Sequence, residues 1–430
     1  MKFLIHTYGC QMNVRDSEAL EALLLAAGHE KAADEKSAEL VVINSCTVRQ
    51  KAEEKAVGKA GNLLAEGKIV GMSGCAVKRM GKEVFARLPK LHFATGPRMF
   101  SMIPSLAARV AAGERGILVE GGDEIPQGLD AHPEIRRAGT FAEVQSYVTV
   151  MVGCDNRCSY CIVPDVRGSE YSRPAGEIVA EVACLAVRGV KEVCLLGQSV
   201  LKYKGFPSLL REIAAIDGIE RIRFTSAHPS GCTDELLEVY RDCPKVCRHL
   251  HLPVQSGSNR ILKAMNRRYT REEYLDAVRK LREFDGEFAL TTDIIVGYPG
   301  ESEEDFELTR SLMEEAGFDN SFIFKYSPRP HTPSAALEDD VAREEKERRD
   351  QVLLADQQLR GQRRNDRLVG TVREVLVEGP SKRNSERWSG RDSGNRIVVW
   401  DRAGDEKIGE KRRLRIVEAH PQILIGETAK

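Results

Sequence analysis

Three cysteines lie close together after an apolar run in the stretch VTVMVGCDNRCSYCIVP, residues 148–164. Cys154, Cys158 and Cys161 follow the spacing C-x3-C-x2-C. A structural zinc site normally has four ligands, and no fourth Cys or His lies within reach in the sequence. A four-iron cluster held by three thiolates leaves one iron open for a substrate or cofactor. The spacing therefore favours an iron–sulfur site with one open position over a zinc site or a set of buried thiols.

A second set of cysteines, Cys10, Cys46 and Cys75, shares a local context although its members are distant in sequence. Each ends an apolar segment after a small residue, in TYGC, INSC and MSGC. Because the carboxyl ends of parallel strands meet at one edge of a sheet, three such thiols could converge there. Cysteines also occupy strand ends for packing reasons. The residues alone leave a second cluster site and a set of buried cysteines equally open.

Composition limits where and how these cysteines can act. The chain has 430 residues with 64 Lys and Arg against 65 Asp and Glu, and its length predicts about three domains. No apolar run approaches the ~18 residues of a membrane span, and the N-terminus lacks a signal-peptide pattern. We therefore expect a cytoplasmic protein with no membrane partner. In that compartment eleven cysteines indicate metal or redox chemistry rather than disulfides.

The elements that must position the cysteines follow an α/β pattern. Residues 1–120 alternate strand-like and helix-like segments and predict a parallel α/β sheet, and residues 116–143 resemble a linker with one strand. Residues 140–365 predict a partial (β/α)6 barrel, and residues 366–430 predict a small all-β barrel. The predicted barrel strands are Tyr147–Gly153, Glu192–Leu196, Arg221–Ser226, His249–Val254, Ala289–Val296 and Ser321–Tyr326.

The first cysteine set lies in a recognisable motif. CDNRCSYC, with Tyr160 before its last cysteine, resembles the signature of radical S-adenosylmethionine (SAM) enzymes. In that superfamily three cysteines hold a [4Fe–4S] cluster whose open iron binds SAM. An electron from the cluster cleaves SAM to give a 5′-deoxyadenosyl radical. The predicted partial barrel is consistent with the same superfamily.

A longer resemblance, from Tyr8 to the last strand, joins the two cysteine sets. TYGCQMN, INSCTVRQKAEEK and GCDNRCSYCIVPDVRGSEYSRP together resemble the methylthiotransferase family of radical SAM enzymes. The resemblance implies that Cys10, Cys46 and Cys75 hold a second, auxiliary [4Fe–4S] cluster that carries or donates sulfur. It also implies two SAM molecules per turnover, a sulfur source, and an electron donor such as flavodoxin or ferredoxin.

Polar residues near strand ends are candidate SAM contacts, because an unpaired polar group in a core costs roughly 1–3 kcal/mol. Structural hydrogen bonding is the alternative for each of them. Arg167 and Arg173, just beyond the cysteines, could pair with the SAM carboxylate or with RNA phosphate. The other candidates are Tyr160, Gln198, Ser226, His228, Gln255 and Asp293.

Two local departures from the family concern loops. Relatives usually read GQNVN where this chain has GQSVLKY, so that Ser199 and Leu201 replace amides. His331 occupies a position where relatives usually have Gly. Contacts that the family makes through the first loop are therefore not carried over to this chain.

The C-terminal part is locally basic, with ten Lys and Arg and five acidic residues between Leu359 and Arg396. A solvated charged surface and RNA binding are both compatible with this composition. EVLVEGPSKRNSERWSGRDSGNRIVVW resembles the TRAM domain, an RNA-binding module. The resemblance implies RNA contacts from Lys382, Arg383, Trp388, Arg391 and Arg396.

The substrate follows only from resemblance within the family. LHLPVQSGS and FIFKYSPRPHTP are similar to MiaB-type tRNA enzymes. This similarity implies tRNA as a partner, bound through its anticodon loop, and addition of a methylthio group to carbon 2 of N6-isopentenyladenosine at position 37. The same chemistry on threonylcarbamoyladenosine in tRNA or on a ribosomal-protein aspartate stays open. A non-catalytic iron–sulfur protein that binds RNA or carries electrons is a remote alternative.

Overall fold

The computed structural model describes residues 1–123 and 144–429, and its first part is a six-stranded parallel sheet with helices on both faces. The strand order is β2-β1-β3-β4-β5-β6. We call this part the N-terminal sheet. Its elements are β1 (Lys2–Tyr8), α1 (Gln11–Ala26), β2 (Glu30–Lys31), β3 (Leu40–Ser45), α2 (Gln50–Ala65), β4 (Ile69–Ser73), α3 (Cys75–Met80), α4 (Glu83–Arg87), β5 (Phe93–Thr95), α5 (Ile103–Ala111) and β6 (Ile117–Val119).

Burial explains why β3 lies in the middle of this sheet. All six of its residues are buried, which is typical of a parallel strand covered on both faces. Leu40 and Val42 pack with α1 and α5 on one face, whereas Val41 and Ile43 pack with α2 and α3 on the other. The strand predicted within the linker is β6, which pairs with β5 and so belongs to the sheet. The remainder of that predicted linker, residues 124–143, lies outside the described residues.

The second part is a half-barrel of six parallel strands in two sheets, ordered β11-β10-β7 and β12-β13-β14. An isolated parallel β-bridge between Ile222 and Val246 joins the two sheets. The elements are β7 (Gln145–Thr149), β8 (Met151–Val152), α6 (Val163–Arg167), β9 (Tyr171–Ser172), α7 (Ala175–Val187), β10 (Glu192–Leu196), α8 (Phe206–Ala214), β11 (Arg221–Phe224), α9 (Asp234–Asp242), β12 (His249–His251), α10 (Asn259–Ala264), α11 (Arg271–Phe284), β13 (Ala289–Val296), α12 (Glu303–Ala316) and β14 (Asn320–Lys325).

Three predicted strands of the half-barrel end or divide earlier than expected. The predicted strand Tyr147–Gly153 becomes β7 and then β8, which leaves the sheet and pairs antiparallel with β9. β12 stops at His251, two residues before Pro253, which has no N–H to donate to a neighbouring strand. β11 stops at Phe224, and Ser226 then adopts the left-handed conformation with a φ of 63°.

A long helix, α13 (Arg343–Asp366), leads into a closed five-stranded barrel, which we call the C-terminal barrel. The strand order is β15-β16-β17-β19-β18, around a core that contains Val375, Trp400 and Leu414. Its strands are β15 (Val372–Pro380), β16 (Arg387–Arg391), β17 (Ile397–Asp401), β18 (Lys411–Ala419) and β19 (Ile423–Thr428). The predicted α/β fold class and three-part architecture are thus confirmed.

Two buried arginines on β11 attach the C-terminal barrel to the half-barrel. The Arg223 guanidinium donates to the carbonyl oxygens of Asp392 at 2.6 Å and Ser393 at 3.0 Å, while its Nε lies 2.9 Å from Glu192. Arg221 donates to the Glu374 carbonyl at 3.0 Å. These contacts hold the segment 391–396 beside the open side of the half-barrel.

The helices give no indication of a membrane segment. Among residues 1–123 and 144–429, each helix lacks the length or the apolar character that a bilayer crossing requires.

Candidate active site

A cavity of about 1230 Å³ lies where the three parts of the molecule meet. The N-terminal sheet contributes Cys10 and Arg49 to its wall, the half-barrel contributes Cys161, and the C-terminal barrel contributes Asn395. One cysteine from each predicted set therefore lines the same space. A substrate in this cavity would contact both cysteine sets.

The first cysteine set lies in the loop between β8 and α6, and the chain holds this loop tightly. Cys154 donates its N–H to the Gly168 carbonyl at 3.1 Å, and Ser159 donates to the Met265 carbonyl at 3.0 Å. Cys154 and Cys158 are buried, whereas Cys161 is half-buried at the cavity wall. We call these three cysteines the loop trio.

The donor chemistry of the loop trio fits an iron–sulfur cluster with an open position. Burial, with smaller contributions from the neighbouring Cys158 and Cys154 sulfurs, raises the pKa of Cys161 to about 12. Burial also raises the pKa of Cys154. The sulfurs are thus close enough to affect one another, and buried thiolates at this position need positive charge, which a cluster supplies. Among the described residues, no three His, Cys, Asp or Glu side chains form a site for a single metal ion.

A half-buried arginine, Arg267, contacts the loop trio from the segment after α10. Its Nη1 lies 3.5 Å from Cys158 Sγ, its Nη2 donates to the Pro253 carbonyl at 3.0 Å, and its Nε donates to Tyr269 Oη at 2.8 Å. Within the part of the chain that the structure describes, no carboxylate lies within 4.0 Å of this guanidinium. Its charge is therefore directed at a cysteine sulfur without an acidic partner. No sequence pattern distinguishes Arg267 from the adjacent Arg268.

The second cysteine set converges at one sheet edge, at the carboxyl ends of the neighbouring strands β1, β3 and β4. Cys46 and Cys75 are buried, and Cys10 is exposed to the cavity. We call them the edge trio. The neighbouring Cys46 side chain, together with the Arg167 guanidinium and against the effect of burial, lowers the pKa of Cys10 to about 6. Three adjacent thiols of this kind fit a second cluster with one open position.

The small residue before two of these cysteines has a steric reason. A Cβ at Gly9 would lie 2.8 Å from the Cys46 Cβ and 2.3 Å from Asn13 Oδ1. Gly74 has a φ of +100°, and a Cβ there would lie 2.5 Å from Asn44 Oδ1. Glycine therefore lets these strand ends come close enough for the thiols to meet.

Arg167 contacts the edge trio, although it follows the loop trio in sequence. From the end of α6 its Nε lies 3.1 Å from Cys75 Sγ, and its Nη2 lies 2.9 Å from Asp16 Oδ2. Arg98 fixes the same residue by donating its Nε to the Arg167 carbonyl at 2.8 Å. The expectation that Arg167 meets SAM or RNA phosphate is therefore wrong, because its donors are turned into the protein.

Arg173 is also turned inward and does not line the cavity. Its Nη1 lies 2.7 Å from Glu181 Oε2 and donates to the Thr149 carbonyl at 2.7 Å. Both side chains of this ion pair are about 1% exposed. The structure thus corrects the expectation for Arg173, which stabilises the packing of β7 against α7 instead of facing a cofactor.

Four of the other candidate SAM contacts, Tyr160, Ser226, Gln255 and Asp293, line the cavity. Ser226 and Gln255 follow β11 and β12 in the left-handed conformation, with φ angles of 63° and 74°. Such strained backbone in a non-glycine residue is concentrated at functional sites. The roles of these four residues toward SAM stay predictions.

Gln198 and His228 have mainly internal contacts. Gln198 accepts the Gly153 N–H at 2.7 Å and so supports the start of the cysteine loop. His228 packs against Tyr269, with ring centres 5.3 Å apart, and hydrogen-bonds to Ser230. Burial, aided by Arg267, lowers the pKa of His228 to about 4, so this ring is neutral at pH 7.

The predicted RNA contacts divide into an exposed group and an internal group. Lys382 and Arg383 are exposed in the loop before β16, and Trp388 is half-buried with the Arg402 guanidinium 5.3 Å from its ring centre. Arg391 and Arg396 line the cavity, but Arg396 is only 9% exposed and pairs with Asp319 at 2.7 Å. Arg396 is therefore primarily a link between the C-terminal barrel and the half-barrel.

Family models cover each of the three parts. A Radical SAM superfamily model matches residues 148–313, a TRAM domain model matches residues 366–429, and the model of Uncharacterized protein family UPF0004 matches residues 2–96. The solved structure of TsrM, a radical S-adenosylmethionine methyltransferase from Kitasatospora setae, has a similar fold. Its TM-score is 0.60 at 17% identity over 77% of this chain and 74% of that one.

Full-length relatives give a more specific assignment. The tRNA-2-methylthio-N(6)-dimethylallyladenosine synthase of Opitutus terrae is 41% identical over 98% of this chain and 96% of its own length. The synthase of the same name from Akkermansia muciniphila is 42% identical over 99% of this chain and 98% of its own length. This chain therefore belongs to the radical SAM methylthiotransferase family, an assignment that implies a [4Fe–4S] cluster and SAM as cofactors.

Proposed function

We propose that this chain adds a methylthio group to carbon 2 of N6-isopentenyladenosine at position 37 of tRNA. The observation that carries the proposal is the single cavity lined by Cys10 of the edge trio and Cys161 of the loop trio. A reaction that joins a sulfur to an unactivated carbon needs both the sulfur and the radical source within reach of that carbon. The printed name of the full-length relatives supports this substrate.

Each cysteine set has a separate role in this proposal. Cys154, Cys158 and Cys161 hold a [4Fe–4S] cluster, while Tyr160, Ser226, Gln255 and Asp293 orient SAM beside it. When bound, that cluster supplies the electron that cleaves SAM, and the resulting radical removes the hydrogen from carbon 2. Cys10, Cys46 and Cys75 would hold a second [4Fe–4S] cluster, which would supply the sulfur, and another SAM would supply the methyl group. The reaction thus uses two SAM molecules, an electron donor such as flavodoxin or ferredoxin, and a sulfur source.

The charges around the cavity are consistent with an RNA substrate. The cations Arg49, Lys51, Lys325 and Arg329 line the cavity from two parts of the molecule. Phosphate contacts by Lys and Arg supply most of the affinity for nucleic acid. An anticodon loop offers an unpaired base that can be turned out of its stack and inserted into such a cavity.

Nucleoside analysis of cellular tRNA tests the substrate. Cells that lack this protein should contain N6-isopentenyladenosine without its 2-methylthio derivative, and the wild-type gene should restore the derivative. Cys158→Ala and Cys46→Ala should each fail to restore it, whereas Cys184→Ala, a half-buried cysteine on α7, should restore it. An unchanged level of 2-methylthio-isopentenyladenosine in the deletion strain would contradict the assignment. If the deletion strain instead lacks the 2-methylthio derivative of threonylcarbamoyladenosine, that nucleoside is the substrate.

A further inference from the structure

Two phenylalanines on the last strand of the half-barrel are exposed inside the cavity. Phe322 is 46% exposed and Phe324 is 37% exposed, although both side chains are strongly apolar. Both line the cavity, at alternate positions of β14, and therefore point to the same face of the sheet. The contacts described above for the two cysteine sets do not explain why apolar rings should face this space.

The neighbouring strand extends this apolar surface and adds one charge. Ile295 lies beside Phe324 and Asp293 lies beside Phe322 in the parallel register of β13 and β14. The Arg49 guanidinium lies 5.7 Å from the Phe324 ring centre, and the His251 ring lies 5.9 Å from the Phe322 ring. Phe322, Phe324 and Ile295 together form an apolar surface, which we call the aromatic wall after its two rings. Arg49 lies at one end of it and His251 at the other.

The direction of β14 orders these groups by depth. Lys325 ends the strand at its carboxyl edge, and Arg329 follows in the next loop, where its Nη2 donates to the Val48 carbonyl at 2.9 Å. Phe324 comes next, and Phe322 lies two residues farther from the carboxyl edge, beside Asp293. Cations at the mouth and apolar rings below them match a nucleotide that enters base first.

We propose that the aromatic wall binds the target adenine and its N6 alkyl substituent, and so selects a prenylated over an unmodified nucleoside. This inference rests on the proposed function and identifies the residues that determine its substrate preference. Phe324 stacks on the base, as aromatic side chains do with unpaired bases. Phe322 packs against the alkyl group, which removes apolar surface from water.

Binding of synthetic anticodon stem-loop RNA tests the proposal without requiring turnover. The cluster-loaded wild-type protein should bind a stem-loop with N6-isopentenyladenosine at least about tenfold more tightly than the same RNA with adenosine, because even small apolar groups contribute this much in a fitted pocket. Fluorescence anisotropy at fixed salt measures both affinities. Phe322→Ala should reduce the preference to about twofold, since most of the apolar contact is lost.

Two control variants separate this role from general stability. Phe322→Leu keeps an apolar side chain and should retain most of the preference. Leu354→Ala removes an apolar side chain that is also 37% exposed, but on α13 outside the cavity, and should retain all of it. Thermal unfolding of each variant shows whether it folds.

The outcomes distinguish this inference from the proposed function. Equal affinity of the wild-type protein for the two RNAs, or an unchanged preference in Phe322→Ala and Phe324→Ala, overturns the inference. Loss of SAM binding in these variants with the RNA preference intact also overturns it, because the wall would then bind SAM. A preserved preference for prenylated RNA together with no methylthiolated product supports the inference and contradicts the proposed function.

Discussion

The two cysteine sets differ most in the charge that surrounds them. Each has an arginine within hydrogen-bonding distance of one sulfur, the buried Arg167 at the edge trio and the half-buried Arg267 at the loop trio. Arg167 is paired with the buried Asp16 at 2.9 Å, whereas Arg267 has no carboxylate within 4.0 Å among the described residues. The edge trio thus has a compensated cation that fixes geometry, and the loop trio has an uncompensated cation that acts on the electronic properties of its sulfurs.

The two cysteine sets also differ in how the backbone holds them. The edge trio is built from the ends of three adjacent strands, so the sheet fixes the positions of its sulfurs before anything binds. The loop trio lies in one short segment whose shape depends on hydrogen bonds to Gly168, Met265 and Gln198. The two similar donor sets are therefore held in place in different ways, one by a sheet and one by a hydrogen-bonded loop.

Removing one cysteine from each trio should have the largest effect. Two clusters predict about eight iron atoms per chain, and Cys158→Ala and Cys46→Ala should each lose about four. Cys158→Ala should abolish formation of 5′-deoxyadenosine from SAM, while Cys46→Ala should retain it. Anaerobic iron and sulfide counting, with chromatography of the nucleoside, measures both. About four iron atoms per chain in the wild-type protein would show that only one of the two cysteine sets holds a cluster.

The thiols should also differ in reactivity by orders of magnitude in the metal-free protein. The pKa of Cys10 is about 6 and that of Cys161 is about 12, so at pH 7 Cys10 is mainly thiolate and Cys161 is thiol. Since the thiolate is the reactive form, alkylation of Cys10 should rise with pH to a midpoint near 6. Iodoacetamide labelling with peptide mass spectrometry across pH gives the midpoint. A midpoint near 9 would show that Cys46 and Arg167 do not lower the pKa of Cys10.

Loss of the compensated arginine should mainly affect stability. Arg167→Gln leaves Asp16 buried without its partner and should destabilise the protein by about 3–5 kcal/mol. The double variant Asp16→Asn/Arg167→Gln should recover much of this, because it also removes the carboxylate that lost its partner. The shift of the urea unfolding midpoint of the metal-free protein measures the effect. Equal destabilisation by the single and double variants would argue against charge compensation as the role of this pair.

Loss of the uncompensated arginine should instead affect redox chemistry. A nearby cation favours the reduced, more negative cluster, so Arg267→Gln should lower the reduction potential of the loop-trio cluster. The expected change is about 60 mV, equal to about 1.4 kcal/mol for one electron. Potentiometric titration followed by electron paramagnetic resonance measures it, with Arg268→Gln as the neighbouring control. A larger change at the edge-trio cluster than at the loop-trio cluster would reverse the comparison.

Sequence reasoning found the sulfurs but missed the arginines, for a physical reason. Cysteine positions follow local patterns: a three-cysteine motif, or a strand that ends after a small residue. Arg167 meets Cys75 across 92 positions of the chain and Arg267 meets Cys158 across 109, so each contact depends on how whole elements pack. The same limit explains the wrong interpretations of Arg167 and Arg173, whose closeness to the motif in sequence suggested a role in binding.

The fold was easier to predict than the contacts, because strand patterns are local. Glu192–Leu196 and Ala289–Val296 have the predicted bounds, since apolar runs define buried parallel strands. The short strands β2 and β5 were missed because two or three residues carry no periodicity. His331 adopts a φ of 70°, a conformation that favours glycine, and this gives a conformational reason for glycine at that position in relatives.

The attachment of the C-terminal barrel has a consequence for how this family can vary. Arg221 and Arg223 donate hydrogen bonds to the main-chain carbonyl oxygens of Glu374, Asp392 and Ser393. Every amino acid supplies such an oxygen. The exposed Ser393 side chain can therefore be replaced without changing this attachment, whereas the buried Asp392 side chain is paired with Arg396 at 3.2 Å. Because these two arginines bind backbone oxygens, exposed side chains of the C-terminal barrel can vary while its position beside the cavity is kept.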